Sequence, residues 1–183
     1  NWLQEYLKLD DQYKIYKTKD NGDCFFDVVR NAFSTSLTEK QYSIKDLRKI
    51  VSENITQEDL ELFNISAEDE GKKPFKTMEA FKTNIMTANY WADEFGISIL
   101  ERILGVKMII FNEYSKEIVC RFHSEKEPKY YILANYVDNQ HYEIIGYGKD
   151  SEGLDNQFIF KKHELPKDIK QKIQNKCTEF IKS

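Results

Sequence analysis

The spacing of the apolar residues changes near Gly105, and this change limits the chain to one class of fold. Before Gly105, apolar side chains recur three and four residues apart, which is typical of helices with one buried face. After it, short β-branched and aromatic runs alternate with turn residues, which predicts strands. Helices followed by a mostly sequential set of strands predict an α+β domain rather than a doubly wound one. The expected strands are 106–111, 117–122, 129–133, 141–147 and 157–160, with a further short one at 13–16.

Several helices have recognisable starts and ends in the sequence. Ser43 with Asp46, and Thr56 with Asp59, resemble capping boxes that use Asp in place of the usual Glu. Pro166 suits the first turn of a last helix because its fixed φ is already helical. Two more helices are predicted from apolar residues on one face: Phe25, Val28, Val29, Ala32 and Phe33 after Cys24, and Trp91, Phe95, Ile99 and Ile103 before Gly105.

Length and composition favour a single domain over residues 1–183, and a C-terminal strand and helix are predicted within 157–183. The hydrophobic fraction of 40% is sufficient for a core despite a charged fraction of 32%. The formal charge of −4 argues against nucleic-acid binding, because phosphate contacts usually require a basic surface. No apolar run reaches the length of a membrane span, and a membrane partner is not expected.

The chain has three cysteines, Cys24, Cys120 and Cys177, at spacings that fit neither a disulfide framework nor a zinc site. We therefore expect a reducing, intracellular compartment and no metal. Cys120 and Cys177 fall on the apolar sides of a predicted strand and a predicted helix, so both are expected to be buried, unreactive thiols.

Cys24 is the candidate nucleophile, because it lies in the first turn of a predicted helix after a polar, glycine-containing loop. Unpaired backbone N–H groups at a helix start favour a thiolate, lower the cysteine pKa and can hold an oxyanion during acyl transfer. The oxyanion donors are expected from the loop Gly22 to Cys24, and Gly22 is expected to permit a tight turn and close substrate approach. The alternative is a small buried hydrophobe that happens to begin a helix.

A nucleophilic cysteine requires a base, and the chain has three histidines. His123 lies in a predicted exposed turn, and His163 lies among charged residues before the last helix. His141 follows a turn signal and opens a predicted strand, which would fix the direction of its ring at the edge of a sheet. His141 is therefore the candidate general base.

These residues resemble the ovarian-tumour (OTU) cysteine proteases, whose marks are an Asp-Gly-x-Cys-x-Phe loop and a distant His-Tyr pair on a strand. Here the loop is Asn21-Gly22-Asp23-Cys24-Phe25-Phe26 and the pair is His141-Tyr142. A tryptophan-led helix beginning at Trp91, followed by a strand at 107–111, also looks like the family's central helix and next strand. The resemblance covers about residues 13–147.

The resemblance implies a papain-like α+β fold with a central, mostly antiparallel sheet flanked by helices. It also implies a monomeric cysteine isopeptidase that acts on ubiquitin or polyubiquitin chains without a metal or organic cofactor. The expected location is the cytoplasm, or the host cytoplasm if the source is a virus or an intracellular bacterium. Two rivals are a protease for another ubiquitin-like protein or for its own precursor, and a non-catalytic ubiquitin-binding module.

Two positions differ from the family's usual residues. Asn21 replaces the Asp three residues before the nucleophile, where an amide can still accept and donate hydrogen bonds. Glu143 stands two residues after the histidine, where Asp or Asn is usual, and we expect it to orient His141 because alternate strand residues share a face. Asn139 is a competing orienter, and a residue on another strand is a third possibility.

Ubiquitin's basic C-terminal tail is expected to run toward an acidic face. The candidates for this face are Asp20, Asp23, Asp27 and Asp138.

Overall fold

The computed structural model describes residues 2–7, 12–36, 39–120, 127–148 and 156–182. The first half of the chain is helical, as the apolar spacing predicted. The helices are α1 (Trp2–Tyr6), α2 (Cys24–Ser34), α3 (Ile44–Asn54), α4 (Gln57–Asp69), α5 (Met78–Ile85), α6 (Glu94–Leu104) and α7 (Lys167–Lys182). A short 3-10 helix at Lys162–Glu164 precedes α7. None of these described helices has the length and apolar character needed to cross a membrane.

The strands of the described residues form one sheet, in the order β1-β5-β4-β2-β3, with β6 paired to β5. They are β1 (Tyr13–Tyr16), β2 (Val106–Asn112), β3 (Glu117–Cys120), β4 (Tyr130–Val137), β5 (His141–Gly148) and β6 (Asn156–Gln157). Only the β2–β4 pair is parallel among these described strands. The mostly antiparallel sheet predicted from the resemblance is therefore confirmed.

Helices flank both faces of the sheet. On one face, α2 through α6 bury a core that includes Phe25, Phe81, Leu100 and Ile144. On the other face, Leu3 and Leu7 at the N-terminus and Ile169 and Ile173 of α7 pack around Phe111. This arrangement confirms the predicted α+β class.

The capping signals in the sequence mark real helix starts. Ser43 accepts a hydrogen bond from the Asp46 N–H, and the Asp46 carboxylate accepts one from the Ser43 N–H, each at 3.0 Å. Thr56 and Asp59 form the same reciprocal box at the start of α4. These bonds satisfy N–H groups that have no partner inside the helix, which is why the short polar residues stand at these places.

The apolar stripe predicted at a spacing of four is wrong at both of its ends. Trp91 precedes α6, which begins after the N-cap residue Asp93, and both Trp91 and Ile103 are exposed. Residues four apart drift by about 40° per step around a helix, so a long series of them leaves the buried face. The buried face consists instead of Gly96, Ile97, Ile99, Leu100 and Glu101.

Two helices and two strands differ from the sequence-based expectation, and one of these strands, β4, extends to Val137 where the expected strand ended at position 133. The sequence pattern indicated neither α1 nor α5, because helices of five and eight residues depend on tertiary packing more than on their own propensity. The strand expected at 157–160 is reduced to Asn156–Gln157, with Phe160 forming an isolated bridge to Tyr131. The last part of the strand expected at 117–122 lies outside the described residues.

Candidate active site

The start of α2 meets the start of β5, and this junction borders an open cleft. Cys24 is the first residue of α2, and its Sγ lies 3.9 Å from the Gln140 carbonyl oxygen. The cleft has a volume of about 770 Å³. Tyr90 and Trp91 before α6 line one part of it, and Tyr136 and Tyr142 of the sheet line another. The thiol is therefore placed at the wall of a cavity large enough to receive a peptide segment.

The Cys24 thiol is only 2% exposed, and this burial controls its acidity. Desolvation raises the pKa of Cys24 above its ordinary value, and the nearby Asp23 carboxylate raises it further. The backbone N–H groups of Tyr142, Phe25 and Cys24 act in the opposite direction, as the helix-start argument predicted. Burial outweighs them, so the lowered pKa expected from the sequence is not found and the resting thiol is neutral.

We expect alkylation of Cys24 by iodoacetamide to show this acidity directly. Because burial raises the pKa of the Cys24 thiol above its ordinary value, the thiolate fraction at neutral pH is smaller than in the unfolded chain, and the rate should still be rising at pH values where that of the unfolded chain has levelled off. Mass spectrometry of the Cys24 peptide across the alkaline range measures the rate, and the urea-unfolded chain serves as the control. A rate that levels off near neutral pH would contradict this electrostatic description.

Asn21 organises the loop before the nucleophile. Its side-chain Oδ1 accepts a hydrogen bond from the Asp23 N–H at 2.9 Å, and its carbonyl oxygen accepts one from the Cys24 N–H at 3.1 Å. Asn at this position therefore supplies the ordering that an Asp side chain would supply through the same acceptor geometry. Two of the N–H groups expected to hold an oxyanion are occupied by Asn21, and they can reach a substrate oxygen only after leaving these acceptors.

The requirement for glycine at position 22 has a different cause from the one expected. Gly22 has no left-handed φ, so the turn itself does not demand glycine. A Cβ atom built on Gly22 would lie 1.9 Å from the Ala88 carbonyl oxygen and 3.0 Å from that of Tyr90. Glycine is thus required because the protein's own backbone, rather than a substrate, lies close to position 22. This contact packs the nucleophile loop against the segment between α5 and α6.

His141 lies in the segment that faces the thiol. It opens β5, is half-buried, and stands between Gln140 and Tyr142, whose backbone atoms flank Cys24. No hydrogen bond joins the His141 ring to the thiol among the residues that the structure describes. His163 lies in the exposed 3-10 helix before α7, and His123 falls outside the described residues. The structure therefore places the backbone on either side of His141 next to the Cys24 thiol, and the role of His141 as base stays a prediction.

The two candidate orienters occupy different environments. Asn139 is exposed and has a φ of 55°, next to Asp138 at 53°, which is the left-handed pair of a tight β4–β5 turn. This conformation explains an Asn at position 139 without a catalytic role. Glu143 is half-buried, and strand alternation places it on the same face of β5 as His141. The described residues show no hydrogen bond between Glu143 and His141, so this assignment also stays a prediction.

The acidic face was predicted from some of four aspartates, and two of these four form ion pairs inside the domain. Asp27 is 5% exposed and accepts hydrogen bonds from the Arg30 guanidinium and from the Lys19 N–H. Asp23 accepts two from Arg48. Both carboxylates therefore pair with groups of the domain itself, at the start of α2, where a negative charge stabilises the helix. Asp20 and Asp138 are exposed.

Two buried polar residues at this site, Arg48 and Tyr90, were not predicted from the spacing of residues in the sequence. Arg48 of α3 is 2% exposed, although charged residues of an amphipathic helix ordinarily face solvent. Tyr90 is also 2% exposed, and its hydroxyl donates a hydrogen bond to Asp93 at 2.7 Å. Burial next to this carboxylate raises the pKa of Tyr90 well above its usual value, so it remains a neutral donor. Only the tertiary contacts distinguish these residues from their neighbours.

The described residues do not form a metal-binding site. Among the described residues, no cluster of three or more His, Cys, Asp or Glu side chains is placed to hold a metal ion.

The fold is similar to that of solved structures of one family. A structure of an ovarian tumor (OTU) domain in complex with ubiquitin matches with a TM-score of 0.55 and 16% identity, over 92% of this chain and 84% of that one. An OTU deubiquitinase from Wolbachia pipientis wMel bound to ubiquitin matches with a TM-score of 0.53 and 17% identity, over 74% and 96%. A further structure of an OTU deubiquitinase from Wolbachia pipientis wMel matches with a TM-score of 0.53 and 14% identity, over 92% of this chain and 99% of that one. At these identities the likeness concerns the fold.

The sequence itself carries the family assignment. No curated protein sequence matches the chain. The model of the OTU-like cysteine protease family matches residues 19–142, which include both Cys24 and His141. Because this match spans more than half of the 183 residues, the chain belongs to the family of OTU-like cysteine proteases.

Proposed function

We propose that this protein is a deubiquitinase that hydrolyses the isopeptide bond between the C-terminal glycine of ubiquitin and a lysine. The observation that carries the proposal is the Cys24 thiol, which begins a helix, lines the cleft and contacts the backbone on either side of His141. The ubiquitin-bound OTU structures with the same fold support the choice of substrate.

The proposed chemistry follows from the roles of the residues. The neutral thiol of Cys24 passes its proton to His141 as the sulfur attacks the glycyl carbonyl, and His141 then gives a proton to the departing lysine amine. The acyl group is left as a thioester on Cys24. Water, deprotonated by His141, attacks the thioester and releases ubiquitin with a free carboxylate and the thiol restored.

The oxyanion of each tetrahedral intermediate needs donors that are occupied in the resting loop. We propose that substrate binding draws the Asp23 and Cys24 N–H groups away from Asn21 and toward the carbonyl oxygen. Asn21 is then the residue that holds the loop closed in the free protein and releases it in the complex.

A second candidate function is a ubiquitin-binding module without turnover. Its support is specific: the thiol is neutral at rest, two oxyanion donors are bonded internally, and the described ring of His141 makes no hydrogen bond to Cys24. A protease for a ubiquitin-like protein or for its own precursor uses the same site with a different occupant of the cleft.

Incubation with a panel of ubiquitin dimers and of ubiquitin-like precursors distinguishes these functions. We expect wild-type protein to cleave at least one ubiquitin dimer and Cys24→Ala to cleave none. Cleavage restricted to a ubiquitin-like precursor would replace ubiquitin as the substrate. Binding to ubiquitin without any cleavage would establish the non-catalytic module.

We expect Glu143 to act by orienting His141, so its replacement should lower kcat more than it changes KM. Glu143→Gln should reduce kcat by at least about tenfold, below the roughly 10²–10⁴-fold that general acid–base assistance contributes as a whole. Asn139→Ala should do less, because the turn conformation accounts for that residue.

Asn135 on β4 is the candidate from another strand for the residue that orients His141. It lies directly opposite Glu143, is 2% exposed, and its Oδ1 is buried without a hydrogen-bond partner. Steady-state kinetics of Glu143→Gln, Asn139→Ala and Asn135→Ala rank the three residues. If Asn139→Ala or Asn135→Ala abolishes cleavage while Glu143→Gln leaves it near normal, the assignment to Glu143 is wrong.

A further inference from the structure

A buried arginine lies behind the nucleophile loop. The Arg48 side chain is 3% exposed, and its Nε and Nη2 donate hydrogen bonds to the Asp23 Oδ1 at 3.1 Å and 2.6 Å. Asp23 is the residue directly before Cys24 and the N-cap residue of α2. One face of the guanidinium covers the Phe26 ring at 4.4 Å, so the group is fixed from the side as well.

The same guanidinium also reaches the segment between α5 and α6, part of which lines the cleft. Its Nη1 donates to the carbonyl oxygens of Ile85, at 2.8 Å, and Tyr90, at 3.1 Å. Ile85 ends α5, and Tyr90 lines the cleft together with Cys24. Arg48 thus joins two segments that are far apart in sequence, the loop that carries the nucleophile and the segment against which Gly22 packs.

A lysine or a neutral side chain could not make this connection. The planar fork of arginine directs several donors at once, whereas an ammonium group is a single point of charge at the end of a flexible stem. The fork donates to the Asp23 carboxylate and to two carbonyl oxygens, and Gly22 of the same loop packs against Ala88 and Tyr90. The loop position is therefore fixed jointly by the tight Gly22 contact and by Arg48.

We propose that Arg48 is a positioning residue for catalysis, which holds the Asp23–Cys24 loop in register with the cleft wall and neutralises Asp23 beside the thiol. The kinetic test of this proposal rests on the proposed function. In that reaction, the thiol and the oxyanion donors must reach the same carbonyl group of the substrate. Without Arg48, the loop loses its link to Tyr90, and the Asp23 carboxylate is left as an unpaired charge next to Cys24. Both changes oppose attack by the sulfur, the second because a neighbouring anion disfavours the thiolate.

Kinetics of Arg48→Met and Arg48→Lys on a ubiquitin substrate test the proposal. We expect Arg48→Met to lower kcat by about 10²-fold, the effect of a displacement of about 1 Å, while KM changes little. Arg48→Lys keeps the charge without the fork and should lie between Arg48→Met and the wild type. Lys49→Met is the matched control, because Lys49 is the next residue of α3 and its side chain is 66% exposed.

Alkylation of Cys24 by iodoacetamide at a fixed, mildly alkaline pH provides a readout that needs no ubiquitin. Arg48→Met should slow alkylation, and adding Asp23→Asn to Arg48→Met should restore the rate because it removes the unpaired anion. Lys49→Met should leave the rate unchanged. If wild-type protein cleaves no ubiquitin substrate but this slowing and restoration occur, the proposed function fails and the positioning role stands.

The proposal is overturned if Arg48 supports only the stability of the domain. In that case Arg48→Met would lower the thermal unfolding temperature, yet kcat and the alkylation rate per folded molecule would equal those of the wild type. If Arg48→Met does not fold, Arg48→Lys decides the question alone: wild-type kcat in that variant shows that the fork is not needed.

Discussion

Replacement of Cys24 by Ala is expected to remove all detectable hydrolysis, a loss on the order of 10⁶-fold in kcat for a covalent nucleophile. The sulfur is the only atom of that side chain that can form the thioester, and alanine leaves the surrounding core nearly unchanged because Cys24 is small and 2% exposed. Ubiquitin that carries a C-terminal electrophile should label wild-type protein once, at Cys24. Intact-mass spectrometry followed by peptide mapping measures this label.

The other two cysteines provide the control for this experiment. The sequence predicts Cys120 and Cys177 to be buried, unreactive thiols, and their side chains lie outside the described part of the structure. Cys120→Ala and Cys177→Ala should therefore be labelled like the wild type. Labelling that persists in Cys24→Ala, with an unchanged rate, would show that another residue is the nucleophile.

Replacement of Gly22 by Ala is expected to cause the second-largest effect. The new Cβ would lie 1.9 Å from the Ala88 carbonyl oxygen, and both groups are backbone, so neither can move aside without displacing its segment. Displacement of the nucleophile loop by about 1 Å should lower kcat by about 10²-fold. We expect the free energy of unfolding to fall by about 1–3 kcal/mol as well, as for other overpacked sites.

Gly105→Ala is a control that separates stability from activity. Gly105 follows α6 with a φ of 67°, and the nearest atom to its Cβ position is the Lys129 Cβ at 3.7 Å. Alanine there strains the backbone by about 1 kcal/mol without touching the cleft. Denaturant unfolding and steady-state kinetics of both variants give the comparison. Equal kcat in Gly22→Ala and Gly105→Ala would show that the Gly22 contact is not needed for catalysis.

The sequence by itself determined the local structure that places the nucleophile and the candidate base. The helix at Cys24 follows from apolar residues at helical spacing, and the strand at His141 follows from β-branched and aromatic residues after a turn. These signals are readable because periodicity and capping depend on neighbours within about four residues of each other. The motif of the loop and the His-Tyr pair then indicated the family, which the match over residues 19–142 confirms.

The tertiary structure alone decided how those local elements act on the thiol. Burial of Cys24 under β5 reverses the acidity predicted from the helix start, since desolvation depends on what packs against the sulfur. Ala88 makes Gly22 necessary, and Arg48 forms an ion pair with Asp23, through contacts across more than twenty positions of the chain. Residue spacing does not encode such contacts, because they arise only when distant helices pack against the same loop.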